Sequence, residues 1–139
     1  MASGTFQSLP VPPTALDGRI SAITLDPDGT PSDVVKNGTP VTVQVEWHLT
    51  GFLVPLLAGN WSVRVGVDEI GGPHDFTHPD PPQSVPVTGG GSYRTDLVLT
   101  DLRPGRTYAL IASLGYHGPA GAPAALGGYV DIGTVSVLP

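Results

Sequence analysis

A chain of 139 residues has room for one domain with a real hydrophobic core and too little for two with ordinary linkers. Only 13% of it is charged, and the balance is acidic, 12 Asp and Glu against 6 Lys and Arg. The six cations (Arg19, Lys36, Arg64, Arg94, Arg103 and Arg106) are scattered, which argues against a nucleic-acid partner and an anionic membrane surface. The absence of cysteine excludes disulfides, thiol nucleophiles, zinc–thiolate sites and iron–sulfur clusters.

Residues 1–16 hold Pro10, Pro12 and Pro13 among small polar residues. Such a segment forms neither a helix nor a central strand and is expected to be an extended, Pro-rich N-terminal arm. Phe6, Leu9, Val11 and Leu16 give it apolar surface to bury, either along its own domain or on a neighbouring subunit. The first ten residues lack the basic start and apolar run of a signal peptide, and no segment has the length of a membrane span, so a cytoplasmic protein, or part of a cytoplasmically assembled particle, is expected.

From residue 17 to 139, turn clusters alternate with β-branched and apolar runs, the pattern of an all-β domain. The first predicted strand is 19–25, closed by Asp26-Pro-Asp-Gly. Residues 40–50 read as the clearest strand, with Val41, Val43, Val45, Trp47 and Leu49 on one face and Thr42, Gln44, Glu46, His48 and Thr50 on the other. The next, 60–69, turns Trp61, Val63, Val65 and Val67 inward and Ser62, Arg64, Gly66 and Asp68 outward. The prolines of 73–82 predict a loop there. Strands are then expected at 84–88, 92–100, 107–116 and 128–138, with Gly133 as a bulge. That makes seven or eight strands in one antiparallel β-sandwich, with no helical period.

Between the second and third long strands lies Thr50-Gly-Phe-Leu-Val-Pro-Leu-Leu-Ala-Gly-Asn. Loops run over the surface and are normally polar, so Phe52, Leu53, Val54, Leu56 and Leu57 demand burial. They either cap the open end of their own sandwich, as one helical turn, or dock on another subunit. With Phe6, Leu9 and Val11 of the arm they are the candidate protein-interaction residues.

Leu99-Thr-Asp-Leu-Arg-Pro-Gly-Arg-Thr-Tyr-Ala-Leu resembles the turn between the fifth and sixth strands of fibronectin type III and related immunoglobulin-like domains. The resemblance implies an immunoglobulin-like β-sandwich in which Leu102 plugs the core and Tyr108 hydrogen-bonds to backbone a few residues upstream, with Trp47 and Trp61 as core aromatics. It speaks to architecture and not to a task.

No catalytic, cofactor-binding or metal site is expected. His74, Asp75, His78 and Asp80 are the one cluster with metal-ligand chemistry, but a His-x3-His spacing needs a helix to converge and prolines oppose one here. Asp26-Pro-Asp-Gly lacks the later ligands of a calcium loop, no nucleophile elbow is present, and Gly89-Gly-Gly lacks a phosphate loop's lysine and helix. Glu46 and Glu69 are both expected at the surface. The functional expectation is therefore a non-enzymatic structural or accessory subunit of a larger assembly, acting through contacts with like or unlike protein subunits. Sheath, cap, decoration and adaptor roles are the types considered. Arg over Lys with abundant Ala, Gly, Pro and Val suggests a bacterial or phage source. The alternative is a module binding carbohydrate or a protein ligand through its end loops, with Phe76, Tyr93, Tyr116 and Tyr129 as the aromatics available for a sugar.

Overall fold

The computed structural model describes all residues, 1–139. Ten strands follow in order: β1 (Ala2–Ser3), β2 (Thr5–Gln7), β3 (Asp17–Leu25), β4 (Val34–Val35), β5 (Val41–Thr50), β6 (Asn60–Glu69), β7 (Asp75–Pro86), β8 (Ser92–Leu99), β9 (Thr107–His117) and β10 (Pro123–Val137). Seven are long; the other three are pieces of two or three residues. One sheet has the order β1-β3-β5-β8 and the other β2-β10-β9-β6-β7, with β4 alongside β10. All pairings are antiparallel except β4 with β10. No helix of the structure is long and apolar enough to cross a membrane.

The two sheets face each other because each long strand turns one apolar face inward. On β5, Val41, Val43, Val45, Trp47 and Leu49 are buried; on β6, Trp61, Val63, Val65 and Val67. Each such side chain contributes about 2 kcal/mol of burial. Trp47 of the first sheet meets Trp61 of the second edge-on at 6.0 Å, Tyr93 stacks on Trp47 at 5.5 Å, and Tyr116 abuts Trp61 at 5.2 Å. A single cluster of 26 buried residues runs through both sheets, so there is one core, as a β-sandwich requires.

The corner between β8 and β9 is built as its residues suggest. Tyr108 is fully buried and its hydroxyl accepts the Arg103 N–H at 2.9 Å, while Leu102 packs half-buried on the core. Gly133 sits at a register shift of β10 with φ of +96°, the expected bulge.

Three features differ from the sequence reading. Residues 75–82, expected within a loop, join 83–86 in one strand, β7. β7 is a sheet edge, where only one side of the backbone needs ladder bonds, so prolines are tolerated. The ladder also jumps from Val63 opposite Gln83 to Val65 opposite His78, which leaves residues 79–82 outside it. The last strand begins at Pro123, five residues before the start expected at residue 128, with an irregularity between Ala124 and Gly127. The arm contributes two short strands. β1 pairs with β3 in one sheet and β2 with β10 in the other, so the arm crosses the side of its own sandwich.

Candidate functional site

The arm and the apolar loop meet at one end of the sandwich. Phe6 of β2 lies half-buried over Gly18, whose missing side chain makes room for the ring: a Cβ there would fall 2.5 Å from Phe6 Cε1. Leu9 and Val11 are half-buried against the core, and Ala15 and Leu16 are buried in it. Gly51 then brings the loop onto the arm. Its φ of +119° and the 2.2 Å that would separate a Cβ from the Ala15 carbonyl oxygen both demand glycine. The Phe52 and Leu53 N–H groups donate to the Thr14 and Ala15 carbonyls at 3.3 and 2.9 Å.

One 3-10 turn follows, Val54–Leu56, with Pro55 in its first positions. Val54 is buried, and Leu53 and Leu57 are half-buried on the core. The Tyr116 hydroxyl donates to the Ala58 carbonyl and ties the loop down where it leaves. Six of the eight candidate interaction residues thus spend apolar surface on their own domain. Phe52 and Leu56 do not; they are 69% and 75% exposed.

The opposite chemistry gathers around the β6–β7 turn. His74 Nε2 lies 2.9 Å from the Asp101 carbonyl oxygen and 3.7 Å from its carboxylate, and its ring packs on Phe76 and Tyr108. His74 therefore clasps the turn to the Tyr108 corner. His78 lies opposite Val65 in the β6–β7 ladder and Asp80 in the stretch outside it, and no three His, Asp or Glu side chains come close enough to share a cation.

Glu69 lies in the interior. Expected at the surface, it is 2% exposed, because it continues the inward parity of Trp61, Val63, Val65 and Val67. Its Oε2 accepts the His74 N–H at 3.4 Å, and Arg106 Nε stands 3.7 Å from Oε1, which has no hydrogen bond. Next to it, Asp68 and Asp75 stand directly opposite across β6 and β7. A hydrogen bond with Asp75, then the charge of Asp75, then slight desolvation push the Asp68 carboxyl above its ordinary 3.8.

On the outer face of β3, β5 and β8, an open groove of about 380 Å³ is lined by Arg19, Ser21, Glu46, His48, Ser92 and Arg94 among others. In it His48 Nδ1 lies 2.7 Å from Ser92 Oγ. This is the first half of a nucleophile–base pair, but no carboxylate bonds the histidine ring to orient it. Residues 44 apart meet only through strand register, which spacing alone does not reveal. At the β3 turn, Asp26 Oδ1 accepts the N–H groups of Asp28 and Thr30 at 3.0 and 2.9 Å, so that carboxylate closes a plain turn. Of the four aromatics available for a sugar, Tyr93 and Tyr116 are buried, Phe76 is half-buried and Tyr129 is 54% exposed.

No protein-family model matches this chain, and no curated protein matches it.

Proposed function

We propose that this chain is a non-enzymatic structural or accessory subunit of a larger bacterial or phage assembly, of the sheath, cap, decoration or adaptor type, working through protein–protein contacts. The observation that carries the reading is the exposure of Phe52 and Leu56 on a loop braced from both sides. Backbone bonds to residues 14 and 15 hold its start and the Tyr116 hydroxyl its end. A braced loop loses little entropy on docking. Two such side chains, fully buried, contribute about 4 kcal/mol, a factor of roughly a thousand in affinity.

The scaffold fits that use. Strand order β3-β5-β8 against β10-β9-β6-β7 and the Tyr108 corner support reading the sandwich as fibronectin type III-like or immunoglobulin-like, a kind of fold whose end loops and sheet edges serve as docking surfaces. A surface with few charges suits a protein much of which is covered in its working state.

The test is solution mass by multi-angle light scattering over a wide concentration range, for the wild type and for Phe52→Asp/Leu56→Asp. Both substitutions are at exposed positions, so near-UV circular dichroism should not change. Assembly through this end appears as mass that grows further with concentration in the wild type than in the double variant. Identical mass curves for the two proteins overturn the assignment of this end.

The alternative, a carbohydrate- or protein-ligand-binding module, draws on the polar groove beside His48 and Ser92. It predicts chemical-shift changes at Arg19, Glu46 and Arg94 on titration with oligosaccharides, and no change in mass.

A further inference from the structure

A β-sandwich has four sheet edges, and three of them here are covered or blocked. The outer side of β3 is taken by β1 at Ser21 and Ala22, by the Gly4 N–H bonded to the Ile20 carbonyl, and by Ser32, whose N–H donates to the Thr24 carbonyl at 3.1 Å. The outer side of β10 is taken by β2 at residues 127–129 and by β4 at residues 136–137. The free side of β7 carries Pro79, Pro81, Pro82 and Pro86 and a break in its ladder. β8 has none of these devices. It is eight residues long, holds no proline or glycine, and pairs with β5 without a register shift. Natural proteins rarely leave such an edge bare.

The phase of the β8 ladder follows from one bond, the Leu49 N–H to the Gly91 carbonyl at 2.7 Å. In an antiparallel pair hydrogen-bonded positions alternate, so Tyr93, Thr95, Leu97 and Leu99 bond to β5. Ser92, Arg94, Asp96 and Val98 point their N–H and C=O groups away from it. The side chains of Arg94 and Asp96 are 59% and 44% exposed, on the outer face.

We propose that β8 is a self-pairing edge: a second copy of this chain adds antiparallel to it about a two-fold axis at Thr95. In that register Arg94 of each copy lies opposite Asp96 of the other, and Ser92 opposite Val98, at the positions whose backbone groups are free. Thr95 faces Thr95, and Tyr93 faces Leu97, at the intervening positions. Charge selects the register. A slip of two residues one way sets Arg94 against Arg94, and the other way Asp96 against Asp96, and like charges directly opposite are unfavourable. The pairing is isologous and joins two four-stranded sheets into one of eight strands. It uses neither Phe52 nor Leu56 and does not rest on the role proposed for them.

Charge exchange and cross-linking test it on the whole chain. In a Phe52→Asp/Leu56→Asp background, which takes the other apolar contact away, the chain is expected at twice 14.3 kDa by light scattering. Arg94→Asp and Asp96→Arg should each return it to 14.3 kDa, and the double variant R94D/D96R should restore the dimer, since the exchanged charges again meet across the axis. Because the protein has no cysteine, Thr95→Cys should give a covalent dimer in a glutathione redox buffer much faster than Thr77→Cys on β7. A chain that stays monomeric in that background at millimolar concentration overturns the proposal, including where an extended peptide from another protein takes the edge instead. So does a folded R94D/D96R that remains monomeric, or equal cross-linking of the two cysteine variants. If a single charge variant fails to fold, the double variant and the cross-linking rates still decide.

Discussion

Gly18→Ala should reverse its sign according to what stands at residue 6. A Cβ on Gly18 would lie 2.5 Å from Cε1 and 2.6 Å from Cζ of Phe6, inside any real carbon–carbon contact, so the ring must leave its seat. Burial of a whole phenylalanine stabilises by about 3 kcal/mol, so displacing this half-buried one costs about 1.5 kcal/mol. Gly18 is not one of the glycines with positive φ. Alanine therefore suits its backbone and gains about 0.5–1 kcal/mol over glycine in a strand. The net result is a loss of about 0.5–1 kcal/mol in the wild type. In a Phe6→Ala background the ring is gone, and the same substitution should stabilise by about 0.5–1 kcal/mol. Urea unfolding of the four proteins measures both values and their coupling. Equal effects of Gly18→Ala in the two backgrounds would mean that Phe6 does not rest on Gly18, and that the arm is not held on its own sandwich as described.

Two other perturbations probe the scaffold. Tyr108→Phe removes the acceptor of the Arg103 N–H from a fully buried ring. Arg103 is exposed, so its amide can turn to water, and the loss should stay near 1 kcal/mol, a few degrees in Tm; no loss at all would remove the corner bond from the account of stability. Asp68→Asn tests the facing carboxyls. With its folded pKa raised, Asp68 holds a proton more tightly in the native state, so its contribution falls as pH climbs past 3.8. The amide cannot ionise, so the variant should gain on the wild type in urea midpoint between pH 3 and pH 6. A difference that does not vary with pH refutes the coupling.

How far the sequence could be read depended on whether a feature lives within one strand or between strands. The inward faces of β5 and β6 show in their alternation, because each apolar side chain two residues on must reach the same core. Tyr108 and Leu102 show because the Pro-Gly turn sets their spacing to the corner. The same parity that places Val67 inward also places Glu69 inward; only the habit of putting carboxylates at strand ends in water hides it. The β7 strand was hidden by its prolines, which break a central ladder but not an edge with residues 79–82 outside it. β1, β2 and β4 are too short to have a period at all. The His48–Ser92 contact and the free side of β8 belong to register between strands, which no single strand encodes. In the apolar loop, the need for burial was plain. Its division into three side chains turned inward and two outward follows from the one turn at Val54–Leu56 and the anchor at Gly51.

The arm has a consequence beyond the apolar surface it covers. By stitching β1 to one sheet and β2 to the other, and with Ser32 and β4 continuing the seam, it leaves no bare strand along that flank of the molecule. A sheet with a bare strand on both flanks can add copies without end, the geometry of a fibre. A sheet sealed on one flank can add a single neighbour and then stops. Loss of residues 1–7 would thus do more than loosen the fold: it would bare β3 at Ser21 and Ala22 and β10 at residues 127–129 to pairing by another chain, with only Ser32 and β4 left along that flank.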